Sequence, residues 1–182
     1  PPALLDGQGR RIAYLRLSLT DRCNFHCSYC APAAREGGGP LMTRDEVRRL
    51  VGVFARLGIR RVRLTGGEPT LRPDLLPVVG DVRSTPGIEE VALTTNGHLL
   101  RDLAQPLFEA GVSRLNVSLD TLDPARLRRL AGPKATLERI TRGLAEAARA
   151  GFTSLQTNAV VGRGENQDEL GDLARFAWRH GA

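Results

Sequence analysis

Apolar and polar residues alternate with a period of two in five short stretches of this 182-residue chain, and longer amphipathic stretches lie between them. The period-two stretches predict strands at Ala13–Thr20, Arg61–Thr65, Glu89–Thr95, Arg114–Ser118 and Ser154–Val161. The intervening patterns predict helices at Arg44–Leu57, Leu75–Arg83, Leu99–Ala110 and Leu137–Ala150, with a last one near Gln167–His180. Thr43-Arg44-Asp45-Glu46 is a capping box for the first helix. Gly58, Gly111 and Gly151 stand where three helices should end. Repeated β-then-α units imply parallel strands joined by right-handed crossovers. The expected fold class is therefore α/β, with five β/α units in one domain over residues 1–182. Ala33–Pro40, with Gly37-Gly38-Gly39, reads as a flexible loop.

The alternation carries a second message. Parallel strands are usually covered on both faces and read as continuous apolar runs. Here Leu15, Leu17 and Leu19 oppose Arg16, Ser18 and Thr20, and Val62 and Leu64 oppose Arg63 and Thr65. Thr94 shares a face with Asn96; Asn116, Ser118 and Asp120 share another, and so do Gln156 and Asn158. Nearly every strand thus has one polar face. If helices cover the apolar faces, the polar ones line something wet or polar, as the concave side of a curved sheet would.

Composition narrows this only a little. Charged residues are 25% and hydrophobic residues 41%, as in a globular protein. Aromatics at 4% are too few for a base-stacking surface. No apolar run reaches membrane-spanning length, and the first residues show no secretory signal. The net charge of +6 rests almost wholly on arginine, with Lys134 the single lysine. Arginine favours bidentate binding of phosphate, although pairs such as Arg48-Arg49 and Arg128-Arg129 read as solvated helix surface.

The chemistry concentrates where strands end. Cys23, Cys27 and Cys30 are the only cysteines. Their Cys-x3-Cys-x2-Cys loop cannot staple a fold, but it can hold three irons of a cubic iron–sulfur cluster and leave the fourth open. A Cys3His zinc site that uses His26 is the competing structural reading. After the second strand comes Gly66-Gly67-Glu68-Pro69, where a glycine pair allows close backbone approach and Glu68 suits an ammonium group. Asn96-Gly97, Asp120 and Gly162-Arg163-Gly164-Glu165-Asn166 follow the remaining strands. In parallel β/α architectures such loops meet at one rim, where ligands bind. His98 and His180 read as surface or loop residues without a role.

The cysteine loop after a first strand, with Gly-Gly-Glu-Pro after the second, resembles the radical S-adenosylmethionine (SAM) superfamily. Leu15–Asn24, Leu64–Pro69, Leu93–Gly97, Asn116–Asp120 and Asn158–Val161, in that order, resemble its GTP 3′,8-cyclase family of molybdenum cofactor biosynthesis. The resemblance implies a partial (β/α) barrel, with five of about six units in this chain. It implies a [4Fe–4S] cluster on Cys23, Cys27 and Cys30, with SAM chelating the open iron. It implies SAM contacts from Tyr29, Gly67 and Ser118, and GTP contacts from Arg16, Arg63 and Thr94. An electron from the cluster would cleave SAM to methionine and a deoxyadenosyl radical, which would take a hydrogen from the GTP ribose and start cyclisation to (8S)-3′,8-cyclo-7,8-dihydroguanosine 5′-triphosphate. The partners implied are GTP as small-molecule substrate and an external electron donor, with no nucleic acid and no membrane; a homodimer and a cytoplasmic location fit. No catalytic side chain beyond these contacts is expected.

Three departures qualify the likeness. Gln156 stands where the family has a GTP-contacting lysine, which keeps open another radical SAM activity such as peptide modification. Ala31 replaces a methionine after the third cysteine. No second cysteine cluster follows Cys30, so the chain reads as the N-terminal portion of a longer protein, unable by itself to complete the cyclisation. A non-catalytic zinc or iron–sulfur domain is the alternative from a different class.

Overall fold

The structure, a computed structural model, describes residues 4–30, 39–152 and 154–182. Ala31 and the glycine-rich loop read at Ala33–Pro40, apart from Gly39 and Pro40, lie outside the described residues.

The strands are β1 (Tyr14–Ser18), β2 (Arg61–Thr65), β3 (Glu90–Thr95), β4 (Arg114–Ser118) and β5 (Ser154–Asn158). Between and after them run α1 (Arg44–Arg56), α2 (Leu75–Ser84), α3 (Leu100–Ala110), α4 (Pro124–Ala131), α5 (Leu137–Ala150) and α6 (Leu170–Arg179). Short 3₁₀ turns occupy Pro69–Leu71 and Gln167–Glu169. The five strands form one sheet in chain order, and every neighbouring pair is parallel. The α/β class and the five repeated units read from the alternation are therefore present.

The register explains why the sheet has two unlike faces. Leu17, Leu64, Leu93, Leu115 and Leu155 lie opposite one another across all five strands. This row is buried and joins the core beneath the helices. Beside it, on the other face, run Arg16, Arg63, Ala92, Arg114 and Ser154. One step further up, Ser18 faces Thr65, and Thr94, Asn116 and Gln156 continue the row. The polar face expected from period two is thus continuous across the sheet.

The capping box of α1 is formed: Thr43 N–H donates to Glu46 at 2.7 Å and Glu46 N–H donates to the Thr43 hydroxyl at 3.2 Å. Gly111 and Gly151 cap α3 and α5 in the left-handed conformation, φ 107° and 96°, which a Cβ would strain.

Three readings need correction. The strands read to Thr20 and Val161 stop at Ser18 and Asn158. Beyond those points the backbone turns to serve loops: the Thr20 hydroxyl accepts from Arg22 N–H, and Val160 N–H donates to the Asp120 carboxylate. The last helix divides, because Glu169 accepts from the Thr121 hydroxyl and Leu122 N–H between the 3₁₀ turn and α6. The sequence places Arg128-Arg129 on a helix surface but sets no bounds for the helix that carries them, α4. Asp123 caps it by accepting from Ala125 N–H at 2.7 Å and Arg126 N–H at 3.3 Å, Pro124 opens it, and Gly132 at φ 92° follows it.

Candidate functional site

The cysteine loop crosses the rim of the sheet and is clamped from two sides by backbone bonds. On one side Gly67 N–H donates to Thr20 C=O and Glu68 N–H to Arg22 C=O, both at 2.7 Å. On the other, His26 N–H reaches Ala131 C=O at 2.9 Å and Ser28 N–H reaches Leu130 C=O at 2.8 Å. The glycine pair exists for the first clamp. A Cβ at Gly67 would lie 2.3 Å from Arg22 O, and one at Gly66 would lie 2.5 Å from Thr20 O. The second clamp uses the C-terminal carbonyls of α4, which a helix leaves without internal partners.

Glu68 is buried and already engaged. Its Oε1 accepts from Thr70 N–H, the Thr70 hydroxyl and the Thr95 hydroxyl at 3.0, 2.5 and 2.8 Å, and its Oε2 accepts from Asn96 N–H at 2.7 Å. Burial pushes its carboxyl upward against these bonds. Glu68 is therefore the strap that joins the ends of β2 and β3, and it also lines the cavity that holds the cysteines. Asn96 extends the strap by donating to Asn24 of the cysteine loop at 2.7 Å.

Across the loop, the Tyr29 hydroxyl donates to Asp120 at 2.5 Å. Burial and then the Asp120 carboxylate push this phenol upward, so it stays a proton donor. Asp120 also accepts from Val160 N–H at 2.8 Å, and its backbone carbonyl accepts from the fully buried Asn166 amide at 2.7 Å. Asn166 bonds Val160 C=O and Gly162 N–H as well. The loops after β1, β4 and β5 are thus tied by one polar network.

Between these ties lies a cavity of about 280 Å³. Its wall brings together Cys23, Cys27, Cys30, Tyr29, Gly67 and Ser118, with Arg16 and Thr94 from the polar sheet face. Arg63 does not line it. It lies on the row of Arg16, with its guanidinium 5.6 Å from the Tyr14 ring, and its buried Nε has no hydrogen-bond partner. Arg114, on the same row, also has a buried Nε without a partner, with Glu90 3.6 Å from its Nη2. Gln156 is exposed and lines a separate hollow with Trp178 at the β5 edge. His26 is exposed, and its Cβ would be 3.3 Å from a Cβ on Gly132. His98, given no role from sequence, packs edge-on against Phe25 with ring centres 5.6 Å apart and touches Arg139 at 2.9 Å.

The matched family profile, described as the radical SAM superfamily, covers residues 17–177. The chain belongs to the radical SAM superfamily. It is 45% identical over 179 residues to a GTP 3′,8-cyclase of Pseudomonas entomophila, covering 97% of this chain and 53% of that one. Against the GTP 3′,8-cyclase of Tolumonas auensis the identity is 47%, covering 92% and 50%. The chain spans about half the length of the curated relatives it matches. A solved structure of Streptococcus suis SuiB bound to S-adenosylmethionine superimposes with a TM-score of 0.77 at 18% identity, covering 92% of this chain and 38% of that one. That likeness is one of fold, and it agrees with the partial-barrel reading.

The cofactors of a radical SAM protein are a [4Fe–4S] cluster and SAM, and the residues present fit them. Three thiols share one cavity wall, and none is in a disulfide. Burial pushes the Cys23 and Cys27 thiols upward, so iron must displace protons as it binds. Among the described residues no three His, Cys, Asp or Glu side chains converge to hold a single ion. A cubic cluster spreads its protein ligands over three corners and needs no such convergence.

Proposed function

We propose that this chain is the SAM-cleaving portion of a GTP 3′,8-cyclase of molybdenum cofactor biosynthesis, at work in the cytoplasm. The observation that carries the reading is the arginine-bearing polar sheet face beneath a three-cysteine loop, in a chain whose near relatives bear that name. In this reading Cys23, Cys27 and Cys30 hold the cluster. When bound, the cluster supplies the single electron that breaks a carbon–sulfur bond of SAM. The chain's own residues do the rest. Tyr29, Gly67 and Ser118 contact SAM. The strap of Glu68 and the Tyr29–Asp120 bond fix the loop so that donor and acceptor stay in register. Arg16, Arg63 and Thr94 receive GTP, its triphosphate drawn to guanidinium groups that present paired N–H donors.

The test is calorimetric titration of GTP into the cluster-loaded protein with SAM present. GTP is expected to bind, and Arg16→Ala and Arg63→Ala are each expected to weaken it by about tenfold or more, the loss of one charge-assisted contact of roughly 1.5–3 kcal/mol. Absence of GTP binding by the unaltered protein overturns the reading. Gln156 favours a second one, a radical SAM enzyme with a different substrate, because it places a neutral side chain on the row where a cation would serve a triphosphate. Restoration of GTP binding by Gln156→Lys in a protein that otherwise lacks it would decide for that second reading.

A further inference from the structure

The positive charge of this molecule is not spread evenly. Residues 124–142 contain Arg126, Arg128, Arg129, Lys134, Arg139 and Arg142 against the single acid Glu138, which places +5 of the chain's net +6 in one short segment. That segment, made of α4, the turn after it and the start of α5, is the one that touches the cysteine loop. Leu130 and Ala131 accept the backbone bonds of Ser28 and His26. Further along, Arg139 meets His98, which packs edge-on against Phe25 between the first and second cysteines.

Arg126 is neutralised by Asp168 and Glu169, and Arg142 by Glu138. Among the described residues Arg128, Arg129, Lys134 and Arg139 are exposed and have no carboxylate in ion-pairing distance. Elsewhere some surface arginines are matched within their own elements, as in Arg48–Asp45, Arg149–Glu146 and Arg175–Asp172, and others such as Arg49, Arg56 and Arg83 are not; what sets this segment apart is how many unmatched cations it gathers beside the cysteine loop. The neighbouring hollow of about 240 Å³ is of mixed charge: Arg101 and Arg142 there face Asp102 and Glu138, and Arg139 is its unpaired cation. Clustered like charges repel and lower stability, so an unmatched cluster implies an outside counter-charge.

We infer that this surface docks an acidic one-electron carrier protein that reduces the cluster held by the cysteine loop. The inference rests on membership of the radical SAM superfamily and not on GTP as substrate. Each SAM cleavage consumes one electron, and that electron enters from outside the chain. On transfer the carrier loses one electron and the cluster gains one; docking itself makes and breaks no covalent bond. Charge complementarity steers such encounters and raises their rate, and it fades as salt screens it. The location follows the same logic, since the basic segment and the cysteine loop share backbone bonds and the partner is seated against the group it reduces.

The experiment uses reduced flavodoxin, an acidic electron carrier, with sodium dithionite, a small anionic reductant that needs no docking surface, as the control of reducibility. Cluster bleaching is followed by stopped-flow absorbance in the unaltered protein, in Arg128→Gln/Arg129→Gln and in Lys134→Glu. Flavodoxin-driven reduction is expected to slow about tenfold or more in the variants and to fall steeply with salt in the unaltered protein. Dithionite-driven reduction is expected to be unchanged, which shows that fold and cluster survive. Binding of flavodoxin to the cluster-free chain, measured by thermophoresis, should weaken in parallel. Equal flavodoxin rates in all three proteins, or a rate indifferent to salt, overturns the inference. So does equal, salt-labile retention of a DNA duplex or anionic vesicles with no variant effect on flavodoxin, which would make the surface a general polyanion binder.

Discussion

Single atoms decide the cysteine loop. A methyl group at position 67 would meet Arg22 O at 2.3 Å and Asp21 O at 2.7 Å, both backbone atoms that cannot swing aside. Gly67→Ala is therefore expected to leave the helices and sheet folded by circular dichroism while iron and sulfide content after reconstitution falls to a small fraction of normal. Gly80→Ala is the matched control. Nothing lies within 4 Å of a Cβ there, and Gly80 sits inside α2. Alanine in a helix interior is better than glycine by about 0.5–1 kcal/mol, so that variant should melt slightly higher with its cluster intact. Arg114 is the residue whose place on the polar row was not drawn from the sequence, although it stands two positions before Asn116 and shares its parity. Ala92 beside it leaves room, and its Nε has no partner. Arg114→Ala is expected to weaken GTP binding by about tenfold in the same titration used for Arg16, the loss of a charge-assisted contact; unchanged affinity would leave Arg114 a partner of Glu90 alone.

At the scale of elements, the strands and the long helices were legible because their periodicity is strong and their caps carry side-chain signals. The element without predicted bounds, α4, is one of those that hold the site. Its eight residues give little more than two turns of pattern, and three of them are arginines. Asp123-Pro124 at its start and Gly132 after its end were the available signals. Asn166 was equally hidden, since it stands in a loop of glycines and charges and reveals itself only through contacts with residues up to 46 positions away. Asn166→Ala would strand the buried carbonyl of Asp120 and take a partner from the half-buried carbonyl of Val160, at a cost of about 2–3 kcal/mol. For a chain of this size that is a fall of roughly 4–12 °C in Tm, readable by calorimetry. The turn between β2 and α2 offers a pH test. The Arg72 guanidinium, buried and bonded to Leu19 and Met42 carbonyls, holds the Asp74 carboxyl below its usual range. A lowered carboxylate contributes stability above its unfolded pKa of about 3.9 and loses it as pH falls through the folded value. The stability advantage of the unaltered protein over Asp74→Asn, from urea unfolding, should therefore be full at pH 6 and shrink towards pH 3.

For the molecule as a whole, the sheet separates two tasks. Its leucine face joins the core, and its polar face and rim are left to bind. The loop that carries the cysteines is held by backbone bonds to Gly67, Glu68, Leu130 and Ala131, and none of those bonds involves a thiol. The fold should therefore stand without the cluster, and stabilisation by SAM should require it. This argues for a two-part melting experiment. In the reconstituted protein, SAM at 100 times its Kd should add about 2.7 kcal/mol, a rise of roughly 5–11 °C in Tm. In Cys23→Ala/Cys27→Ala/Cys30→Ala the baseline melt should persist as one cooperative transition, and SAM should shift it by nothing measurable. An equal SAM shift in both would show that SAM is held by the cavity wall alone, with no contribution from the open iron. A triple variant that fails to fold would show that the thiols pack as core residues, and would move Cys23 and Cys27 from the site to the scaffold.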